Sequence, residues 1–288
     1  QHVSTYLIEM SVFLFNVKNK LVNSLKEDNL LKLFYDLEQP LVGVLISMEN
    51  NGINLDIDAL EKYSQYLSFE IGVLEEKIYD KCGKKFNILS PKQLGEVLFV
   101  KMALLDNPKK TKSGQFSTSE PELLKLKGKH AVIDDILLFR TYQKLLTTYV
   151  NALPLLINQV DQKIHTTFNQ TITNTGRLSS KKPNLQNIPI RKSSGKDVRK
   201  AFIASDKNHI LMSADYSQIE LRLIADLSQE SNMIEAFLQN KDIHVLTASK
   251  VFNVPVSQVT NEMRSNAKTI NFGIIYGVSA FGLSEQST

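Results

Sequence analysis

Residues 264–277, RSNAKTINFGIIYG, place Arg264, Lys268, Phe272 and Tyr276 at intervals of four. Positions four apart on an α-helix differ by about 40° around its axis, so the first three side chains share one face and Tyr276 lies at its edge. The two cations have no acidic neighbour in this segment, so they repel each other slightly unless an anion lies between them. Nucleotide phosphates are such an anion, and the next ring can stack on a base or sugar.

Two glycines, Gly273 and Gly277, follow the aromatic residues of this segment directly. Each glycine inside a helix costs about 1 kcal/mol relative to alanine. We therefore expect both glycines to permit the close approach of a flat group. The alternative is a solvated basic face over an ordinary core, which explains the isoleucines of the segment but leaves the glycines unexplained.

A second segment, HILMSADYSQIELRLIADLS, predicts a short buried strand, a carboxylate at its end and an amphipathic helix. Asp215 lies at that strand end, which is a common place for a metal ligand or a catalytic acid. Helix capping is the alternative, because Asp215 with Gln218 and Ser217 with Glu220 both fit a capping box. From this segment alone, capping is the favoured interpretation.

The composition bounds the class of protein. Hydrophobic residues make up 42% and charged residues 22% of the 288 residues, and the net charge is +4, which is typical of a globular protein with a substantial core. The single cysteine, Cys82, excludes an internal disulfide and predicts a reducing, cytoplasmic location. No apolar run is long enough to span a membrane. We expect the chain to be part of a longer protein.

Helical patterns dominate the first half of the chain. Residues 1–33 predict the end of one helix and a second, amphipathic helix. Pro40 opens an apolar helix pattern that ends at Asn51-Gly52. Asp56 predicts the N-cap of a long helix that ends at Gly83. Residues 133–150 predict another long helix. Between these helices, residues 107–119 (NPKKTKSGQFSTS) carry lysines and hydroxyls without a carboxylate, which fits either a solvated loop or a tip that grips phosphates.

The motifs DYSQIELR and RSNAKTINFGIIYG, with TGRLSS and PNLQNIP before them, resemble the family A DNA polymerases of the bacterial DNA polymerase I type. The resemblance covers nearly the whole chain. It implies an α+β, predominantly helical fold with a partial right-hand polymerase architecture that is truncated before the second palm carboxylate. The implied domains are the C-terminal helices of a 3′–5′ exonuclease-like domain (residues 1–33), a connecting palm segment (34–56), the thumb (57–155), the first part of the palm (156–230) and the first part of the fingers (231–288).

The same resemblance implies the nucleotide site. Arg264 and Lys268 would hold the triphosphate and take part in catalysis with Asp215, and Glu220 would close the pocket against a ribose 2′-hydroxyl. The implied nucleotide-binding residues are Tyr216, Gln218, Glu220, His244, Arg264, Lys268, Phe272 and Tyr276.

The resemblance also implies a two-metal site and a DNA surface. Asp215 and the backbone carbonyl of Tyr216 would bind two Mg²⁺ ions, together with a second carboxylate that this chain does not contain. Primer–template DNA and deoxynucleoside triphosphates are the implied partners. The residues implied to contact DNA are Lys92, Lys109, Lys110, Lys112, Arg140, Lys144, Arg177, Gln186, Asn187, Arg191 and Gly277.

Two other functions compete with this interpretation. A single-subunit RNA polymerase has a similar Arg-Lys-Tyr helix, although Glu220 and the Phe272-Gly273 pair favour the DNA enzyme. A fragment that only binds DNA is the other alternative, and we expect this chain alone to bind DNA and nucleotide without turnover, as a monomer. His130 and His165 stand outside these motifs, and we expect them to be structural or surface residues.

Overall fold

The computed structural model describes residues 2–189 and 193–279, together with Gly282. The chain divides into two compact units, Gln1–Leu211 and Met212–Thr288. Helices dominate both units and the strands are short, which confirms the predicted α+β, predominantly helical class. No helix in the described part of the chain is long and apolar enough to cross a lipid bilayer.

The first unit contains eight α-helices in its described residues, three of them extended by a π-helical turn. The α-helices are α1 (His2–Glu27), α2 (Leu31–Leu33), α3 (Gln39–Asn51), α4 (Ile57–Cys82), α5 (Pro91–Gly95), α6 (Glu120–Leu124), α7 (Ala131–Leu145) and α8 (Ser193–Lys200). The π-helical turns are Phe34–Glu38 after α2, Glu96–Lys101 after α5 and Leu146–Val150 after α7, and a 3₁₀ turn covers Pro154–Leu156.

The start of the chain differs from the prediction of two helices within residues 1–33. α1 is one continuous helix, since His2–Glu27 contains neither glycine nor proline to interrupt it. The break comes at Asn29, which has a left-handed backbone with φ of 58°. The helix predicted from Pro40 begins earlier, at Leu31, and ends at Gly52 as expected.

The two longest helices around the main core, α4 and α7, obey local capping rules. Asp56 caps α4 by accepting the amide of Ala59 at 2.9 Å, and Gly83 ends it with φ of 64°, as the sequence predicts. α4 packs along α7 in an antiparallel arrangement, because Lys81 at the end of α4 pairs with Asp135 at the start of α7. The apolar side chains buried between these elements include Leu60, Leu67, Leu74, Ile78, Ile133, Ile136 and Leu145.

Four short strands complete the described part of the first unit. β1 (Asn54–Leu55) pairs antiparallel with β4 (Phe202–Ile203), and β2 (Thr167–Asn169) pairs antiparallel with β3 (Ser179–Lys181). These pairs lie beside the end of α3 and around α8, so they support the helices without forming a large sheet.

The prediction of a buried strand within residues 209–214 is wrong. This segment has no regular structure, and its apolar side chains Ile210, Leu211 and Met212 are exposed. A strand is defined by hydrogen bonds to a neighbouring strand, and no described strand pairs with this segment.

The second unit consists of four α-helices in its described part. They are α9 (Ile219–Ser228), α10 (Ser231–Leu238), α11 (Ile243–Phe252) and α12 (Asn261–Ile275), and a 3₁₀ turn at Val256–Gln258 precedes α12. α11 packs closely along α12, and α9 packs on α10. A small apolar core that includes Leu221, Ala225, Phe237 and Ile243 joins these helices.

His165 connects the end of α3 to the segment before β2. Its Nδ1 lies 2.6 Å from the carbonyl oxygen of Glu49, and its Nε2 lies 2.9 Å from Oδ2 of Asp161. Both partners are acceptors, so the two bonds together require an imidazolium ring that is protonated on both nitrogens. These bonds, first to Glu49 and then to Asp161, raise the pKa of His165 above its ordinary value. Gly52 allows this packing, because a Cβ there would lie 2.7 Å from the His165 ring.

The charge on His165 predicts pH-dependent stability. The pKa is about 6.5 in an unfolded chain and higher in the folded protein. The stabilisation by the charged ring is therefore fully present below about pH 6.5 and is lost as the pH rises through the folded-state pKa. We expect the free energy of unfolding of the wild-type chain to exceed that of His165→Gln most at about pH 5.5, and the difference to shrink towards pH 8.5. Urea titrations across this range measure it. A difference independent of pH would contradict the charged ring, and Asp161→Asn should weaken the pH dependence.

Candidate functional site

The N-terminal ends of α11 and α12 are fixed by side-chain caps. Asp242 precedes α11 and accepts the backbone N–H groups of His244 at 2.8 Å and Val245 at 3.3 Å. Thr260 precedes α12 and accepts the N–H of Met263 at 3.2 Å. Asp, Ser, Thr and Asn are favoured at this position because they satisfy amides that the helix leaves unpaired. These caps fix the first turns of α11 and α12, and these turns carry the candidate residues His244 and Arg264.

Asp242 also binds Arg264 of α12. The Nε and Nη2 atoms of Arg264 lie 2.9 and 2.7 Å from Oδ2 of Asp242. Segment 264–277 contains no acid, but Arg264 nevertheless has an acidic partner in Asp242. The acid lies 22 residues away along the chain and reaches Arg264 only because α11 and α12 pack together. Partial burial raises the pKa of Asp242, but the hydrogen bonds from Arg264 and the two backbone amides outweigh it and leave this pKa below its ordinary value.

His244 is buried between α11 and α12, with 2% of its surface exposed. Its Nδ1 lies 3.0 Å from Nδ2 of Asn271, and its ring centroid lies 5.8 Å from that of Phe272. Burial lowers the pKa of His244; Asp242 opposes this shift, and the cations Arg264 and Lys268 add to it. The neutral imidazole is therefore favoured at neutral pH.

A row of contacts joins α12 to α9. The Nζ of Lys268 lies 5.9 Å from the centroid of the Phe272 ring, and the rings of Phe272 and Tyr276 stack with centroids 6.1 Å apart. The hydroxyl of Tyr276 donates to Oε2 of Glu220 at 3.1 Å. The structure thus brings together Lys268, Phe272, Tyr276 and Glu220, four residues that the family resemblance implies for one nucleotide site.

Gly277 lies outside α12. Its backbone is left-handed with φ of 73°, the amide of Val278 bonds the carbonyl of Gly273 at 2.8 Å, and nothing lies within 4 Å of the position that a Cβ would take. This is the usual end of a helix, where glycine avoids the strain of a side chain. The expectation of a helix weakened by two glycines thus holds for Gly273, which is buried inside α12, and is wrong for Gly277.

Asp215 and Tyr216 lie on the exposed segment before α9. The predicted capping boxes are wrong, because α9 begins at Ile219 and its N-cap is Gln218, which is left-handed and makes no capping hydrogen bond through its side chain. A capping box needs its acceptor at the N-cap itself. The Oε1 atom of Gln218 is buried without a hydrogen-bond partner.

A two-metal site needs more oxygen ligands than these residues supply. Among the described residues, no three His, Cys, Asp or Glu side chains lie close enough to hold a metal ion. Asp215 and the Tyr216 carbonyl alone do not fit two Mg²⁺ ions, because protein sites bind each ion through one or two carboxylates besides water and phosphate, and these residues supply a single carboxylate.

The lysine-rich segment 107–119 of the first unit is ordered as a tight hairpin. The amide of Thr111 bonds the carbonyl of Gln115 at 2.7 Å, and the amide of Ser117 bonds the carbonyl of Lys109 at 2.8 Å. Lys110 lies over the Phe116 ring at 5.4 Å, and Lys109 pairs with Glu122 at 3.6 Å. The segment therefore presents exposed lysines, Lys112 among them, on a defined turn.

The other cations predicted to contact DNA in this unit differ in exposure. Lys92 in α5 and Lys144 in the last turn of α7 are exposed. Arg140 is partly buried and donates to the carbonyl and hydroxyl oxygens of Thr118. Burial lowers the pKa of Arg140, and Glu120 opposes this. Arg140 thus anchors the end of the lysine hairpin to α7.

The residues of the TGRLSS and PNLQNIP motifs lie around β3. Arg177, Gln186 and Asn187 are exposed, and Nε2 of Gln186 donates to the carbonyl of Leu178 at 2.9 Å, which holds the two motifs together. The carbonyl of Asn187 accepts the hydroxyl of Tyr149 at 2.7 Å. Arg191 lies outside the described residues.

Sequence reasoning missed three residues of the second unit, namely Asp242, Thr247 and Asn271. Asp242 carries a signal that could have identified it, since an Asp directly before a helical pattern predicts an N-cap. Asn271 precedes Phe272 within the quoted motif and lies seven residues after Arg264, close to the same side of α12, but an amide at this position is not a signal in itself. Thr247 carries no local signal.

The two roles of Asp242, as the cap of α11 and as the partner of Arg264, can be separated by substitution. Asp242→Ala removes the cap and the ion pair, whereas Asp242→Asn keeps an oxygen for the cap and loses the charge. We expect Asp242→Ala to lower the free energy of unfolding by about 1 kcal/mol or more and to speed hydrogen exchange at the amides of His244 and Val245. Asp242→Asn should keep most of the exchange protection. Equal exchange rates in wild type and Asp242→Ala would contradict the capping role.

Comparison with known proteins gives a consistent result. The family model described as DNA polymerase family A matches residues 57–288. The chain is 46% identical over 283 residues to the DNA polymerase I of Bacillus subtilis, and 43% identical over 283 residues to that of Geobacillus stearothermophilus. Each alignment covers 98% of this chain and 32% of the relative, so the chain spans about a third of the length of these relatives.

A solved structure shares the fold. The POL domain of Pol1 from M. smegmatis, in complex with DNA primer-template and dNTP, aligns with a TM-score of 0.88 and 40% sequence identity, covering 94% of this chain and 48% of that one. This likeness confirms the predicted partial polymerase architecture. The division into five domain segments stays a prediction. With a family model that matches most of its length, the chain belongs to DNA polymerase family A.

Proposed function

We propose that this chain forms the nucleotide-binding surface and part of the DNA-binding surface of a polymerase. The whole protein would transfer a deoxynucleotidyl group from a deoxynucleoside triphosphate to a primer 3′-hydroxyl, in DNA replication and repair. One observation carries the proposal: Arg264 and Lys268 lie on α12 beside His244 and Phe272, in a chain of family A. Relatives named DNA polymerase I, and a similar structure in complex with primer-template and dNTP, support it.

The cations would hold the triphosphate in different ways. Arg264 is oriented by Asp242 through Nε and Nη2, which leaves its Nη1 unused by this pair. Lys268 makes no ion pair with any acid among the described residues. Of the two cations, Lys268 is therefore the one whose charge the described acids compensate less. Fixed positive charges of this kind stabilise the charge that builds on the phosphates as pyrophosphate leaves.

The rings and Glu220 would surround the base and sugar. Phe272 and Tyr276 present stacked faces on which a base or sugar can pack. Glu220 is held by the Tyr276 hydroxyl, so its carboxylate has a defined position where it could fill the space that a ribose 2′-hydroxyl needs. Gln218 and Tyr216 precede it on the same segment and remain candidates for nucleotide contact.

Most of the residues proposed to contact DNA lie on the first unit. The hairpin lysines with Lys92 and Lys144 supply exposed positive charge, and Arg177, Gln186 and Asn187 supply side chains beside β3. Lysine, arginine and amide side chains are those that contact phosphate and sugar most often. Arg140 would act mainly by anchoring the hairpin, and Gly277 offers open space beside the end of α12.

Two Mg²⁺ ions would supply charge neutralisation for the reacting phosphates in the whole protein. The described residues of this chain do not by themselves fit two ions. We infer that this chain by itself binds primer–template DNA and nucleotide without turnover.

The match to DNA polymerase family A favours a DNA polymerase over the alternative of a single-subunit RNA polymerase. A single-subunit RNA polymerase is disfavoured, since the family model and the named relatives are DNA polymerases. A purely DNA-binding role describes what we expect of this chain alone. We also propose a monomer in the cytoplasm, to which a single buried cysteine is suited.

Nucleotide binding should depend on Lys268. We expect Lys268→Ala to weaken dATP binding to the chain–primer–template complex about tenfold or more, since a hydrogen bond to a charged group contributes roughly 1.5–3 kcal/mol. Lys250→Ala, an exposed lysine on α11, is the matched control and should leave the affinity unchanged. Isothermal titration measures both. Equal affinity in wild type and Lys268→Ala would remove Lys268 from the site.

DNA binding should fall with salt. Fluorescence anisotropy with a labelled primer–template should give a log–log slope near 0.9 per phosphate contact, and Lys110→Ala should lower it by about 1. Lys84→Ala, another exposed lysine, serves as the control.

With Mg²⁺ and all four deoxynucleotides, we expect no primer extension by the chain. Extension that Asp215→Ala abolishes would show a complete metal site, and salt-insensitive binding would exclude the lysine surface.

Sugar discrimination should depend on Glu220. In the complete polymerase, Glu220→Ala should raise ribonucleotide incorporation relative to deoxynucleotide incorporation by about tenfold or more, because the carboxylate no longer occupies the space beside the sugar. Tyr276→Phe should give a smaller change, since it removes one hydrogen bond to the carboxylate and leaves the carboxylate in place. The ratio of kcat/KM for the two substrates is the measurement. An unchanged ratio in Glu220→Ala would assign the discrimination to another residue.

A further inference from the structure

Three polar side chains form a row of hydrogen bonds between α11 and α12. The hydroxyl of Thr247 donates to Oδ1 of Asn271 at 3.1 Å, and Nδ2 of Asn271 lies 3.0 Å from Nδ1 of His244. Thr247 and His244 belong to α11, and Asn271 belongs to α12. The three side chains therefore cross the packed interface of the two helices and end on the imidazole ring.

The chemistry of these groups determines where the His244 proton lies. An amide oxygen only accepts and an amide NH₂ only donates. With Oδ1 of Asn271 bound by Thr247, its NH₂ faces His244 and donates to Nδ1. Nδ1 must then be unprotonated, so a neutral ring carries its proton on Nε2.

The surroundings favour the neutral ring. His244 is almost fully buried, and the charged groups that act on it are Asp242 before α11 and the cations Arg264 and Lys268 of α12. The carboxylate of Asp242 is occupied by Arg264 and by two backbone amides, so it does not serve the ring as an acceptor.

The two nitrogens of the His244 ring differ in their surroundings. Asn271 contacts Nδ1, whereas Nε2 makes no hydrogen bond with another residue that the structure describes. The ring packs against Phe272, one turn along α12 from Lys268.

We propose that Asn271, oriented by Thr247, is a positioning residue that holds His244 as the tautomer protonated on Nε2. This N–H is then available as a neutral donor to a phosphate oxygen, next to Arg264 and Lys268. The tautomer follows from the amide orientation in which Thr247 donates to Oδ1 of Asn271, whereas its use toward a phosphate rests on the proposed function. A neutral donor would add a hydrogen bond at the triphosphate without a third positive charge.

The tautomer is measured directly by long-range ¹H–¹⁵N correlation spectra of the whole chain labelled at histidine. We expect His244 to show a protonated Nε2 and an unprotonated Nδ1 in wild type. Thr247→Val removes the hydroxyl at nearly constant volume and should let the Asn271 amide reverse, giving a mixture of tautomers. Thr247→Ser keeps the hydroxyl and should retain the wild-type pattern. A wild-type ring protonated on Nδ1, or a Thr247→Val spectrum identical to wild type, would overturn the proposal.

The consequence for binding is measured with dATP and the chain–primer–template complex. Thr247→Val and Asn271→Leu should each weaken binding, by up to about tenfold for the loss of one hydrogen bond to a charged group, and Thr247→Ser should restore it. Unchanged affinity in Thr247→Val, despite a mixed tautomer, would overturn the role toward phosphate. If wild type shows the expected tautomer yet binds no dATP, the proposed function fails while the tautomer assignment is supported.

Discussion

One carboxylate determines how the second unit is organised. Asp242 caps α11 and binds Arg264 of α12, so the same group sets the first turn of one helix and the rotation of the next. These bonds bring His244, Lys268 and Phe272 to one region of the α11–α12 pair. A charged group that makes several hydrogen bonds at once gains more than each bond would alone, because its desolvation is incurred only once. The geometry of the candidate site therefore depends on a residue that need not touch the nucleotide.

Local signals in the sequence were sufficient to predict much of the helical structure. Asp56 and Gly83 mark the two ends of α4, and the spacing of apolar residues gives the buried face of that helix. The four-residue spacing of Arg264, Lys268 and Phe272 correctly predicts one helix, which ends directly before Tyr276. Caps and periodicity act over three or four residues, so a sequence shows them directly.

The features that sequence reasoning missed depend on partners distant in the chain. Residues 209–214 have the composition of a strand, but pairing decides whether a strand forms. The pair between Arg264 and Asp242, and the contacts of Asn271 with Thr247 and His244, span 22 to 27 residues and exist because two helices pack. Neither the spacing nor the residue types within one helix specify which acid or amide the neighbouring helix supplies.

Glu122 gives the lysine hairpin an unusual electrostatic character. Its carboxylate lies 3.6 Å from Lys109 and 3.5 Å from Lys125, and its side chain is only 13% exposed. It therefore acts as a built-in counterion for both lysines. Salt dependence in nucleic-acid binding reflects the small ions that are released when charges meet. A lysine neutralised by its own protein adds to the charge count of the surface but contributes less to that release, so the number of lysines overstates the ionic sensitivity of this surface.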